Sequence, residues 1–151
     1  MKELRERGIK AVFRTIGIHE FTYYMMGLMN LVRAIYIEPR LAEKMFDKIG
    51  SLIYSIHKRM VENDVIGAVN ICDDMAYNQG TMISPKFLRK WVFPWQKRLV
   101  EVAHKHGKPF TLHTCGDIEA VMDDLINYVR IDARHGFQDN IMPVAEWKKK
   151  W

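Results

Sequence analysis

Short apolar, β-branched runs alternate with helix-forming stretches along this chain, and that alternation constrains the fold more than any single motif does. Val65 to Cys72 and Pro109 to Cys115 read as buried strands. Ile9 to Ile18, with Val12, Phe13 and Ile16, and the shorter Ile131 to His135 are the other strand candidates. The clearest helix is Pro39 to Asn63, where Leu41, Met45, Ile49, Leu52, Ile53, Ile56 and Met60 recur at intervals of three and four to form one apolar stripe. The segment His19 to Ile37 carries Phe21, Tyr23, Tyr24, Met25, Met26 and Met29 at helical spacing and reads as a core face. Ser84 and Pro85 open a further helix as cap and first residue, and Pro94 interrupts it. A second piece, Trp95 to His106, stops at Gly107. Asp117 caps the helix Ile118 to Val129, and Pro143 begins a last helical stretch that stops at Trp151. Strand and helix in strict alternation argue for parallel βα units. Such units build either a doubly wound sheet or part of a (β/α)8 barrel, which typically takes ~250 residues. No glycine-rich phosphate-binding turn follows any strand, so nucleotide-binding versions lose their main support.

Composition narrows the partners. The chain has 151 residues, 48% of them hydrophobic, enough for one domain with a real core. Lys and Arg number 23 against 18 Asp and Glu, a formal +5, but the signs are interleaved. The densest basic run is Lys148 to Lys150, which reads as a solvated helix end, so nucleic acid is not a favoured partner. No apolar stretch approaches the ~18 residues of a membrane span. The N-terminus lacks an apolar signal core, and two cysteines, Cys72 and Cys115, make no disulfide framework. The expectation is a cytoplasmic, reduced setting.

Polar residues gather at the C-terminal ends of these strands, where parallel α/β folds place their sites. Alternation puts Phe110 and Leu112 on one face and Thr111, His113 and Cys115 on the other. It likewise sets Val69 and Ile71 against Asn70, Cys72 and Asp74. An imidazole and a thiol two residues apart on one strand face can ligate zinc, and they equally describe a buried thiol beside a hydrogen-bonded histidine. A zinc site needs further ligands, for which Cys72, Asp73, Asp74 and His135 are candidates. Adjacent Asp73 and Asp74 can hold a catalytic proton, bind a substrate cation or brace a metal ligand, or else serve as loop and cap residues. Strand parity groups His135 with Ile131 and Ala133, which turns it toward a helix and ranks it below His113. His19, His57, His104 and His106 read as surface or capping residues.

These residues resemble the uroporphyrinogen decarboxylase superfamily of (β/α)8 barrels, which includes the heme-pathway decarboxylase and the zinc-dependent corrinoid methyltransferases that act on coenzyme M. The resemblance rests on Met26-Gly27-Leu28, Glu38-Pro39, Cys72 to Tyr77, Ile83 to Phe87 and Val92 to Trp95, then His104 to Pro109, Leu112 to Gly116 and Ile131 to His135, in that order. It implies a partial (β/α)8 barrel of about four βα units, residues 1–151 forming one incomplete domain whose open edges invite self-association or closure by a partner. In the methyltransferase branch a His-x-Cys pair holds zinc, and His113 and Cys115 match it; the later cysteine that completes that ligand set would fall beyond Trp151. The zinc there activates a substrate thiol that takes a methyl group from a corrinoid, carried on a partner protein. Asp73 and Asp74 are then the candidate catalytic carboxylates, and Asn70 and Tyr77 the candidate substrate contacts. The decarboxylase branch, in porphyrin synthesis, acts on an acidic tetrapyrrole without a metal. Asp73 matches an aspartate that ends the corresponding strand there, while Asp74 to Tyr77 departs from it. An inactive barrel piece or assembly partner is the remaining expectation.

Overall fold

The computed structural model describes residues 2–151. The chain runs through α1 (Lys2–Glu6), β1 (Ala11–Ile16), α2 (Ile18–Met26), α3 (Leu28–Ile37), α4 (Pro39–Met60) and β2 (Ile66–Cys72). A small hairpin follows, β3 (Ala76–Tyr77) and β4 (Gly80–Thr81), then α5 (Pro85–Phe87), α6 (Phe93–Lys105) and β5 (Phe110–His113). β6 (Ala133–His135) and α7 (Val144–Lys150) complete it.

β1, β2, β5 and β6 form one parallel sheet in that order. Each new strand joins the same side of the last, which is the progression of a barrel wall; a doubly wound sheet reverses its order partway. The two faces agree with this. Val69, Ile71, Phe110 and Leu112 are fully buried beneath the helices. Arg14, Asn70 and Thr111 face the other way and remain partly open. One greasy face and one polar face is what an arc of a (β/α)8 barrel presents, its polar side being the barrel interior.

The helices depart from the sequence reading in instructive ways. α4 forms as expected, but its buried stripe is Ala42, Phe46, Ile49, Ile53 and His57, while Leu41, Leu52 and Ile56 are exposed. Phe46 stacks on Trp91 (centroids 5.7 Å apart), and this aromatic anchor, whose burial contributes up to ~3 kcal/mol, sets the rotation of the helix. His19 to Ile37 is two helices broken at Gly27, where φ is 77°. Tyr24, Met25 and Met29 point outward from it, so the expected core face is only partly one. Pro94 does not interrupt its helix. A π turn over Leu88–Val92 widens the backbone so that Phe93 N–H reaches Leu88 O, and α6 continues with Pro94 in its first turn. The segment expected as the helix Ile118 to Val129 is a short 3-10 turn, Glu119–Val121, then a π turn, Asp124–Val129, ended by left-handed Arg130. Ile118, not Asp117, occupies the cap position; Asp117 stands one residue earlier and closes a turn, its Oδ1 accepting Glu119 N–H at 2.9 Å. Among the described residues, no helix is long and apolar enough to cross a membrane.

Candidate metal centre

Three strand ends converge above the polar face of the sheet. β2 runs into Asp73 and Asp74, β5 into Thr114 and Cys115, and β1 into Gly17 and the start of α2. Asp73 is fully buried and does not face the cleft. Its carboxylate accepts Ile18 N–H at 3.0 Å, Glu20 N–H at 2.8 Å and Gln96 Nε2–H at 2.8 Å. It is thus the side-chain cap of α2, supplied from a different strand. Burial raises its pKa to about 7, against the lowering effect of the donors from Glu20, Gln96 and Ile18. Gly17 is required here by proximity: a Cβ would lie 2.2 Å from Asp73 Cβ and Cγ.

Asp74 faces the other way. Its Oδ1 accepts Cys115 N–H at 2.8 Å, and its carbonyl accepts His19 Nδ1–H at 2.8 Å. His113 Nε2 lies 3.9 Å from Asp74 Oδ1 and 3.5 Å from Cys115 Sγ. Among the described residues, Asp74, His113 and Cys115 bring one carboxylate oxygen, one imidazole nitrogen and one sulfur within 4.8 Å of one another. Burial, then the negative charge of Asp74, raises the Cys115 pKa, so the metal-free group is a thiol. Burial also lowers the His113 pKa, against the pull of Asp74. A neutral imidazole, a carboxylate and a thiol that a metal would deprotonate form a donor set suited to zinc, and three protein ligands leave one position open.

The other expected residues fall around this cluster. Of the four candidates for a further ligand, the geometry brings in Asp74; Asp73 is occupied below. Cys72 Sγ instead accepts Arg14 Nε–H at 2.7 Å within the sheet's polar face. Asn70 lies deeper on that face, donating to Thr111 Oγ1 at 2.7 Å, and lines a cavity of about 520 Å3 with Arg14, Thr111 and His135. Tyr77 lies elsewhere, in a groove of about 580 Å3 that also includes Gln79, Cys115, Gly116 and Gln138. The two expected substrate contacts therefore border different cavities, and Tyr77 is the one that shares its cavity with the cluster.

Three histidines correct the sequence reading. His135 does not face a helix: it pairs in register with His113, and the two Nδ1 atoms are 2.6 Å apart. Parity does group it with Ala133, both exposed, but their shared face is the polar one. Arg134 takes the helix side, stacked over Trp147 at 4.3 Å. His19 is fully buried at the site's edge, with its pKa lowered to about 4 by burial. It is a polar residue just past a strand, the same kind of position as Asp74 and Cys115. That signal is hidden when the strand is taken to run to Ile18, since β1 ends at Ile16. His57 is buried under β1 against Thr15 Oγ1 (2.7 Å), its pKa also lowered to about 4 by burial. His104, as expected, makes a surface pair with Asp132 at 2.7 Å.

The fold and this cluster define an α/β protein built as an arc of a (β/α)8 barrel with its polar residues at the C-terminal strand ends. The chain belongs to the family described as uroporphyrinogen decarboxylase (URO-D), whose model matches residues 15–150. A methyltransferase from Methanosarcina mazei shares the fold, with a TM-score of 0.76 at 16% identity. That superposition covers 98% of this chain and 42% of the methyltransferase, so the chain spans less than half the length of that protein. No curated protein matches the chain by sequence.

Proposed function

We propose that this chain carries the zinc site of a methyl transfer from a corrinoid, held on a partner protein, to a small thiol. The observation that carries the reading is the convergence of Asp74, His113 and Cys115 from two strand ends within 4.8 Å. Membership in the URO-D family and the shared fold with a methyltransferase support it. Asp74, His113 and Cys115 would hold the zinc ion, which would supply Lewis acidity to lower a thiol's pKa from its usual ~8.5 toward neutrality.

The remaining work falls to this chain's own residues. The Cys115 N–H bond holds Asp74 Oδ1 on the cluster side of its loop. Asp73 anchors α2 to the end of β2, which fixes the backbone from which Asp74 projects. The groove beside Cys115, with Tyr77 on its wall and Gln138 Oε1 held by Gly116 N–H at 2.8 Å, is the approach for the thiol.

Elemental analysis after dialysis against a weak chelator tests this. About one zinc per chain is expected, with sharp loss in Cys115→Ser at unchanged secondary structure. No zinc in the unaltered protein overturns the reading and leaves the metal-free decarboxylase branch or an inactive barrel piece.

A further inference from the structure

The metal-ligand reading leaves one pair unexplained, the two imidazoles facing each other across β5 and β6. His113 and His135 are register partners, their ring centroids 4.8 Å apart with planes at 42°. The Nδ1 atoms stand at 2.6 Å, so one must donate and the other accept. Nε2 of His113, the nitrogen on the far side of the ring, faces Cys115 Sγ at 3.5 Å. Asp74 Oδ1 is further from it, at 3.9 Å, and is already the acceptor of Cys115 N–H. The nearer neighbour of Nε2 is therefore the Cys115 thiol, whose S–H can donate to an unprotonated nitrogen, whereas a proton on Nε2 would meet only a weak sulfur acceptor.

We propose that His135 is a positioning residue for His113: it accepts the Nδ1–H of His113, holds that ring in the Nδ1–H tautomer, and thereby leaves the Nε2 lone pair aimed at Asp74 and Cys115. This rests on the zinc reading for its purpose, but not for its geometry. The reverse tautomer would put a proton on Nε2 and close the atom that a metal needs. His135 in turn carries its own proton on Nε2.

The backbone is built to hold this contact. Thr114 N–H donates to His135 O at 3.2 Å, which locks the two strand ends in register. Gly136 follows at φ 94°, a left-handed conformation that favours glycine. A Cβ there would come 3.1 Å from both Nδ1 and Cε1 of the His113 ring. The bare backbone of Gly136 thus closes over the same edge of the imidazole that His135 bonds. A metal-ligating histidine commonly donates its second N–H in this manner, and loss of such a partner typically costs 10–100-fold in metal affinity. Here the acceptor is a neutral imidazole where a carboxylate or carbonyl is more usual.

The test reads the tautomer in the metal-free full chain, from the 15N shifts of the imidazole nitrogens at pH 8. The unaltered protein should show a protonated Nδ1 and a bare Nε2 at His113. His135→Asn, whose carbonyl oxygen can stand near the lost Nδ1, should retain that pattern. His135→Leu should give averaged, mixed-tautomer shifts. A proton on Nε2 of His113 in the unaltered protein, or His113 shifts unchanged in His135→Leu, overturns the proposal. Should His135→Leu fail to fold, His135→Phe keeps a ring packed on His113 without the acceptor nitrogen, and unchanged His113 shifts there count equally against it. Zinc titrations run beside this: about 10–100-fold weaker binding is expected for His135→Leu and near-normal binding for His135→Asn. An unaltered protein that binds no zinc overturns the proposed function, while the tautomer result for the pair stands on its own.

Discussion

Gly17→Ala probes the buttress on which the whole site rests. The new methyl would stand 2.2 Å from Asp73 Cβ and Cγ and 2.6 Å from Oδ2, far inside van der Waals contact. Asp73 cannot yield freely, because its carboxylate is fully buried and holds Ile18 N–H, Glu20 N–H and Gln96 Nε2–H. Either the carboxylate swings away and two backbone donors, one buried and one part-buried, lose their acceptor, or β1 moves off β2. The first route costs ~1–3 kcal/mol per donor, hence ~2–6 kcal/mol for the pair. Overpacking of the kind the second route entails costs about 1–3 kcal/mol, with larger values where backbone must shift. The expected result is a loss of at least ~2 kcal/mol in urea unfolding, with faster hydrogen exchange at Ile18 and Glu20 than elsewhere in α2. A stability within ~0.5 kcal/mol of the unaltered protein, the scale of an ordinary surface substitution, would refute the account of Asp73 as the cap that positions the site.

Two further outcomes are expected. Asp74→Asn keeps the bond from Cys115 N–H but removes the charge beside His113, so zinc affinity measured against a chromophoric chelator should fall roughly tenfold or more; an unchanged Kd would remove Asp74 from the ligand set. His57 has a folded-state pKa of about 4 against 6.5 when unfolded, so the unfolded chain takes up the proton first and stability is lost as pH falls from 6.5 toward 4. By pH 5 that loss amounts to ~2 kcal/mol, and His57→Gln, which can still meet Thr15 Oγ1, should lack it. Since His19 acts in the same direction and Asp73 in the opposite one, the difference between the two proteins' pH profiles is the quantity to compare; parallel profiles would show that His57 is not held neutral.

Periodicity carries much of the molecule, and its failures have physical causes. Strand alternation along Val69 to Cys72 and Phe110 to His113 places each side chain on its observed face, because a period of two leaves no freedom once one face is apolar. α4 forms where its pattern predicts but is rotated, since its apolar residues cover more than one face. Phe46, Ile49 and Ile53 are chosen for burial by Trp91 and the neighbouring helices, contacts remote in sequence. The π turn before Pro94 escapes for a related reason: a proline in a helix pattern reads as a break, and only the packing of Leu88, Trp91 and Val92 makes the wider turn worth forming. His113 and Cys115 are legible as a pair because the alternation of β5 carries on into the two residues beyond its end. Asp73 and Asp74 are legible as carboxylates at a strand end, but their separate tasks are not.

Local chemistry along the chain is enough to establish parallel βα units with a polar strand-end layer holding an imidazole and a thiol. It cannot say that the strands add in one direction, since four βα units suit either architecture and the order arises from which edge the next strand meets. Nor can it divide Asp73 from Asp74, one capping α2 from below and the other joining His113 and Cys115 above, because that division follows from how β1 docks on β2. The His113–His135 contact has the same origin. Residues 22 positions apart in the chain meet at 2.6 Å only because β5 and β6 pair in that register, and register is a property of assembled strands.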